Sequence, residues 1–195
     1  MGSESSKPYK GFKREEDDTF VVVFSPSERE VLINLSGQLI EILAERVDIE
    51  DEDPLAEMVG ITGHDSPPDD AVLFRLLPNA YSDPVESAEF RRYTESTLRA
   101  KKREHAMNMR KLLLKDDSDI SLNEQGAQAW LGAMNDIRLA LGVRLNVEDN
   151  SYDHFELLSP EDPMQAVFAV YSWLGWLEES LVNTLMVDNE GDVLE

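Results

Sequence analysis

The chain has 195 residues, 42% of them apolar, and a formal net charge of −22, which suits one domain with a buried core. It contains no cysteine, and this excludes disulfides, thiolate metal sites, thiol nucleophiles and thiol redox sensing. Its three histidines, His64, His105 and His154, are too widely spaced to form a ligand pair, so no metal and no cofactor is expected.

An acidic surface repels nucleic acid and anionic membrane at long range. The N-terminus lacks an apolar targeting region, and the most apolar run, Met164 to Leu177, is shorter than the roughly twenty residues that span a bilayer. The expectation is a cytoplasmic protein with no membrane contact.

In chain order, residues 1–18 read as a disordered tail rich in serine, lysine and acids. The stretch TFVVVF (19–24) is β-branched and aromatic, the one clear strand. It needs a partner within the chain or across a dimer. Ser25-Pro26-Ser27-Glu28 then places a hydroxyl at an N-cap, proline at the first helical position and a carboxylate three residues on. The helix that follows, to about Arg46, carries a stripe of Val31, Leu35, Leu39 and Ile42. A short helix is expected from Pro54 to Val59, a loop over 60–70, and a brief helix from Ala71 to Leu77 closed by Pro78.

Asp83-Pro84-Val85-Glu86 repeats the capping pattern and opens a long helix to Leu114. Ser121-Leu122-Asn123-Glu124 reads as a further capping box, before a helix to Leu145 whose Trp130, Met134, Ile137, Leu141 and Leu145 form one seam. Residues 146–162 are an acidic connector in which HFELLS could pair as a strand. The last helix, Pro163 to Val187, is apolar nearly all round in its first half, which predicts burial in the bundle or at a subunit contact. Its Trp173 and Trp176 read as core. The predicted fold is mainly α, a multi-helix bundle with one N-terminal β-strand. A single helical domain spans 19–187, with an acidic tail over 188–195.

The long helix is unusual for its charge. Between Glu89 and Lys115 lie nine of the chain's eighteen Lys and Arg residues against three acids. At 100° per residue Arg92, Arg99, Arg103 and Arg110 fall within about 40° of one another and span about 27 Å. Phe90, Thr97, Leu98 and Leu112 take the opposite half and read as core anchors. The arginine row has three readings: a solvated face offset by the protein's own acids, a surface for carboxylates of a protein partner or like subunit, or phosphate contacts to DNA. No helix-turn-helix, zinc finger or aromatic stacking set accompanies it.

On the Trp130 helix, Asp136 and Arg138 flank the apolar seam and Arg144 lies near its centre. Charges at such an edge need partners, and the charges of the Glu89–Arg92 turn, Glu89 and Arg91 among them, are the natural candidates for a structural ion-pair network. No phosphate-binding glycine loop, nucleophile elbow or dinucleotide fingerprint is present, and no catalytic residue stands out.

The segments RLLPNAYSDP, EFRRYTESTLRAKK and AWLGAMNDIRLALGVRL, in that order over residues 20–185, resemble the AosR-like family of actinobacterial oxidative-stress transcriptional regulators, long known only as a domain of unknown function. The resemblance implies a mainly helical, non-enzymatic regulator that works with a sigma factor or other transcription machinery, and an actinobacterial source. The redox-sensing branch of the family uses a cysteine pair that this chain cannot supply. The motif positions that carry over are Arg75, Glu89, Phe90, Arg91, Arg92, Thr94, Glu95, Trp130, Asp136, Arg138 and Arg144, in structural or partner-binding roles. The expected function is therefore stress-response regulation through a protein partner using Arg92, Arg99, Arg103 and Arg110. DNA binding by the same face is the alternative, a carboxylate-based enzyme the next, and a homodimer is expected from the unpaired strand and the apolar last helix.

Overall fold

The computed structural model describes residues 11–44, 66–115, 119–147, 155, 158–159 and 161–186. The expected helix at Pro54 to Val59, most of the connector around HFELLS, and the 188–195 tail lie outside these residues.

The chain is mainly α-helical, with a small sheet. Its elements are β1 (Lys13–Arg14), β2 (Phe20–Val23), α1 (Pro26–Ile42), α2 (Ala71–Leu76), α3 (Pro84–Leu113), β3 (Asp119–Leu122), α4 (Glu124–Leu145) and α5 (Pro163–Met186). Helix starts follow the chemistry of the sequence. The Ser25 hydroxyl accepts from the Glu28 N–H, while the Glu28 carboxylate accepts from the Ser25 N–H at 2.7 Å. At the head of α3 the Asp83 carboxylate accepts from the N–H groups of Val85 and Glu86. Caps of this kind each contribute about 1 kcal/mol.

The strand partners are supplied within the chain. The order is β1-β2-β3, antiparallel throughout, with Phe20 opposite Leu122 and Val22 opposite Ile120. Those four side chains are buried while Val23 faces outward, as the period-two pleat demands. This removes the unpaired-strand argument for a dimer. Structure also reaches into the segment assigned to the N-terminal tail, because Phe12 is buried and Lys13–Arg14 pair with β2. Ser121 is not a helix cap. It lies in β3, and Asn123 caps α4 by accepting from the Gly126 N–H at 2.8 Å.

At the centre of the core stands Trp130 of α4. The ring of Phe24 stacks on it at 6.2 Å and that of Phe12 meets it edge-on at 6.3 Å. The whole predicted seam, Trp130, Met134, Ile137, Leu141 and Leu145, is buried. On α1 the buried line is Leu32, Ser36, Leu39 and Leu43, with Val31, Leu35 and Ile42 at its margin. The two share Leu39, and elsewhere the core line runs one residue beyond the predicted stripe. Ser36 hides it in the sequence, yet tolerates burial because its hydroxyl donates to the Ile33 carbonyl at 3.0 Å.

Helix α5 is less enclosed than its composition predicts. Leu174, Leu177, Glu178 and Leu181 are buried, but Trp176 is 38% exposed and Met164 is also at the surface. Trp173 is partly buried against the core, edge-on to Phe24 at 6.2 Å.

Candidate functional site

Helix α3 collects most of the basic stretch, and the core takes an unexpected share of it. The face turned inward carries Ser87, Arg91 and Glu95 in its first half and Ala106, Met109 and Leu113 in its second. Arg91 and Glu95 are each 5% exposed and form an ion pair one helical turn apart. Arg99, a turn further on, donates to the other Glu95 oxygen at 2.8 Å. Residues four apart share a helix face, so Arg91-Glu95-Arg99 is a paired ladder, one carboxylate between two guanidiniums, whose Arg91–Glu95 rung can enter the core. Burial would raise the pKa of Glu95, but hydrogen bonds from Arg99 and then Arg91 outweigh it and hold the carboxyl below its ordinary range. Arg91 also reaches back to the preceding loop, donating to the Leu77 carbonyl at 3.1 Å and the Asn79 side-chain oxygen at 3.0 Å. The motifs RLLPNAYSDP and EFRRYTE are thus joined physically by one guanidinium.

The other charges pair across helices. Lys102 of α3 donates to Asp136 of α4 at 2.5 Å, and Arg138 donates to Glu178 of α5 at 2.7 Å while lying over the Tyr171 ring at 4.9 Å. A side chain at position 175 would meet that guanidinium, since a Cβ on Gly175 would stand 3.2 Å from its carbon. The residues read as one network are therefore dispersed. Arg91, Asp136 and Arg138 each have a buried or half-buried carboxylate or cation partner, but not one another, whereas Glu89 and Arg144 are exposed. Sequence reasoning missed Glu95, Lys102 and Glu178 as partners. The Arg-x-x-x-Glu-x-x-x-Arg spacing at 91, 95 and 99 was the available clue to the first.

Burial raises the pKa of Asp136, with the Lys102 hydrogen bond opposing it. A carboxyl whose folded pKa is raised contributes stability below its unfolded pKa and loses that contribution as pH rises through the folded value. Asp136→Asn should therefore gain on the wild type as pH rises through that window. Urea unfolding of both proteins across the acid-to-neutral range checks this, and a constant difference would contradict it.

On the outward side of the same segment lies an aromatic ledge. Tyr81 packs edge-on to Phe90 at 5.6 Å, and Tyr93 follows one turn along α3. They are 49%, 44% and 59% exposed respectively. Phe90 and Leu98 are thus surface residues, not the core anchors their hydrophobicity predicts, because the inward positions belong to the paired charges. Contiguous exposed apolar surface of this sort is characteristic of interaction sites. The arginine row runs along a different side of α3 from Phe90, and it is not uniform. Arg92 and Arg103 are exposed, Arg99 is engaged with Glu95, and Arg110 is half-buried beside Gly37 of α1. Among the described residues no three His, Asp or Glu side chains converge on a metal-sized site, and no described helix is long and apolar enough to cross a membrane.

The chain matches a family model described as a domain of unknown function, DUF2017, over residues 9–185. It is 36% identical over 177 residues to the oxidative stress regulator AosR of Mycobacterium bovis and equally to that of Mycobacterium tuberculosis, covering 83% of this chain and 80% of each relative. A Mycobacterium leprae relative is 35% identical over 185 residues, covering 86% of this chain and 82% of its own length. The chain belongs to the AosR-like family. No solved structure matches it. Within this AosR-like fold the three sequence motifs have distinct places. The first ends α2 and forms the pinned loop with Tyr81, the second the ladder and the α3 part of the ledge, and the third the Trp130 seam with Asp136 and Arg138.

Proposed function

We propose that this AosR-like protein is a non-enzymatic regulator of the stress response that acts by binding a protein partner, a sigma factor or another component of the transcription machinery. The partner sits on the Tyr81–Phe90–Tyr93 ledge, and Arg92 and Arg103, on another side of α3, steer acidic groups of the partner at longer range. Arg99 and Arg110 support the row from within. The regulatory role rests on the relatives, which are named oxidative stress regulators. The mode of action rests on one observation: the buried Arg91 holds the 77–79 loop against α3, so that exposed aromatics are presented on a fixed support. Aromatic anchors on a rigid support are the usual energetic centre of a protein interface. With no cysteine in the chain, oxidant cannot be read through a thiol of this protein.

DNA as the direct target is the second reading, carried by the exposed Lys101, Arg103, Lys111 and Lys115 along and just beyond α3. The two are separated by Arg92→Glu with Arg103→Glu, both at exposed positions. Under the proposal this variant stays folded and loses the captured transcription protein, while the wild type leaves promoter DNA unshifted at low salt. Binding of promoter DNA by the purified wild type, weakening steeply with salt, with partner capture unchanged in the variant, would replace the first reading with the second.

A further inference from the structure

A separate site lies away from the α3 ledge, where α2, α4 and α5 meet. A depression of about 490 Å³ opens there, lined among others by Arg75, Asn135, Arg138, Gly142, Asn146 and Tyr171. That volume lies within the range of about 300–1,000 Å³ typical of small-molecule sites. Among the described residues its lining includes two guanidiniums and two amides and no carboxylate, in a chain of net charge −22. Arg138 is fixed by Glu178 and the Tyr171 ring. Arg75, by contrast, is exposed and has no hydrogen bond or ion pair among the described residues. Asn146 ends α4 in the left-handed region, φ 50 and ψ 49, a conformation asparagine tolerates better than most residues. The depression on the other flank of Arg138, about 660 Å³, contains Glu178 and Glu179 and is unsuited to an anion.

We infer that the Arg75–Arg138 depression is a binding site for a small oxyanion, an organic carboxylate or a phosphorylated metabolite. Arg75 supplies a charge that no described residue compensates and a planar fork that matches either oxyanion. Asn135 and Asn146 donate through their amides, and Arg138 forms the positive wall, held in place by Glu178. The partner ledge contributes no residue to this site, so the inference stands or falls independently of the proposed function.

The test is an amide NMR titration of the purified full chain with citrate, with inorganic phosphate, and with sodium chloride at matched ionic strength. The expected result is saturable movement of the Gly142 and Asn146 signals with citrate or phosphate but not chloride. Saturation by citrate alone identifies carboxylate chemistry, and by phosphate alone phosphoryl chemistry. Arg75→Gln and Asn135→Asp change exposed side chains, and each should weaken binding about tenfold or more, the loss of one charge-assisted hydrogen bond or its replacement by repulsion. No saturable movement with either oxyanion, an equal response to chloride, or undiminished affinity in both variants would overturn the assignment.

Discussion

Arg91→Ala is expected to lower the unfolding free energy by about 3–5 kcal/mol, the usual consequence of removing one partner from a buried ion pair. The loss has three parts: Glu95 keeps only Arg99, the Leu77 carbonyl loses a buried donor, and Asn79 is released. The pH dependence carries a definite sign. Glu95 has its folded pKa depressed, so its contribution is present above the unfolded value and lost as pH falls through the folded one. The difference between wild type and Arg91→Ala should accordingly be largest near neutrality and shrink in acid. Replacing the whole ladder, Arg91→Met, Glu95→Leu and Arg99→Met, should recover much of the loss, because apolar side chains of similar size leave no desolvated charge. Urea denaturation at several pH values measures all of this. A cost below about 1 kcal/mol, within the range of an exposed ion pair, would contradict a buried ladder.

The second large effect concerns binding. Phe90→Ser with Tyr93→Ser should leave stability within about 0.5 kcal/mol of the wild type, as surface substitutions do, and should weaken the protein partner by roughly thirtyfold or more. That magnitude corresponds to the loss of one interface anchor worth about 2 kcal/mol. Far-UV circular dichroism with urea unfolding reads the first half of the prediction and quantitative partner retention the second. A destabilised double variant would mean that the ledge is part of the core, against the exposures of its three rings.

The helix starts at Pro26 and Pro84 and the Trp130 seam were legible because their causes are local: a cap, a proline that needs no N–H donor, an apolar residue every three or four. The facing of α3 was not. Phe90 and Leu98 looked like anchors, Arg91 was assigned to an ion-pair network with α4 and Glu95 was given no partner, and a single charged residue is costly to bury. The pairing of Arg91 with Glu95 at four-residue spacing reverses that balance, and it becomes decisive only once α3 is seen packed beside α1 and α4. The pairing of β2 with β3 was hidden for a different reason. Ser121 to Glu124 fits a capping box as well as it fits the end of a strand, and the contact spans about one hundred residues. Of the arginine row, the sequence revealed the alignment but not the engagement of Arg99 by Glu95, which leaves Arg92 and Arg103 as the outward pair.

The most direct test of the account is capture from a lysate of the native host, at moderate salt, with wild type and Phe90→Ser/Tyr93→Ser as parallel baits and mass spectrometry as the readout. The account predicts that the wild type recovers a sigma factor or RNA polymerase components and that the folded ledge variant does not. Equal recovery of those proteins by both baits, or recovery of none by the wild type, would contradict it.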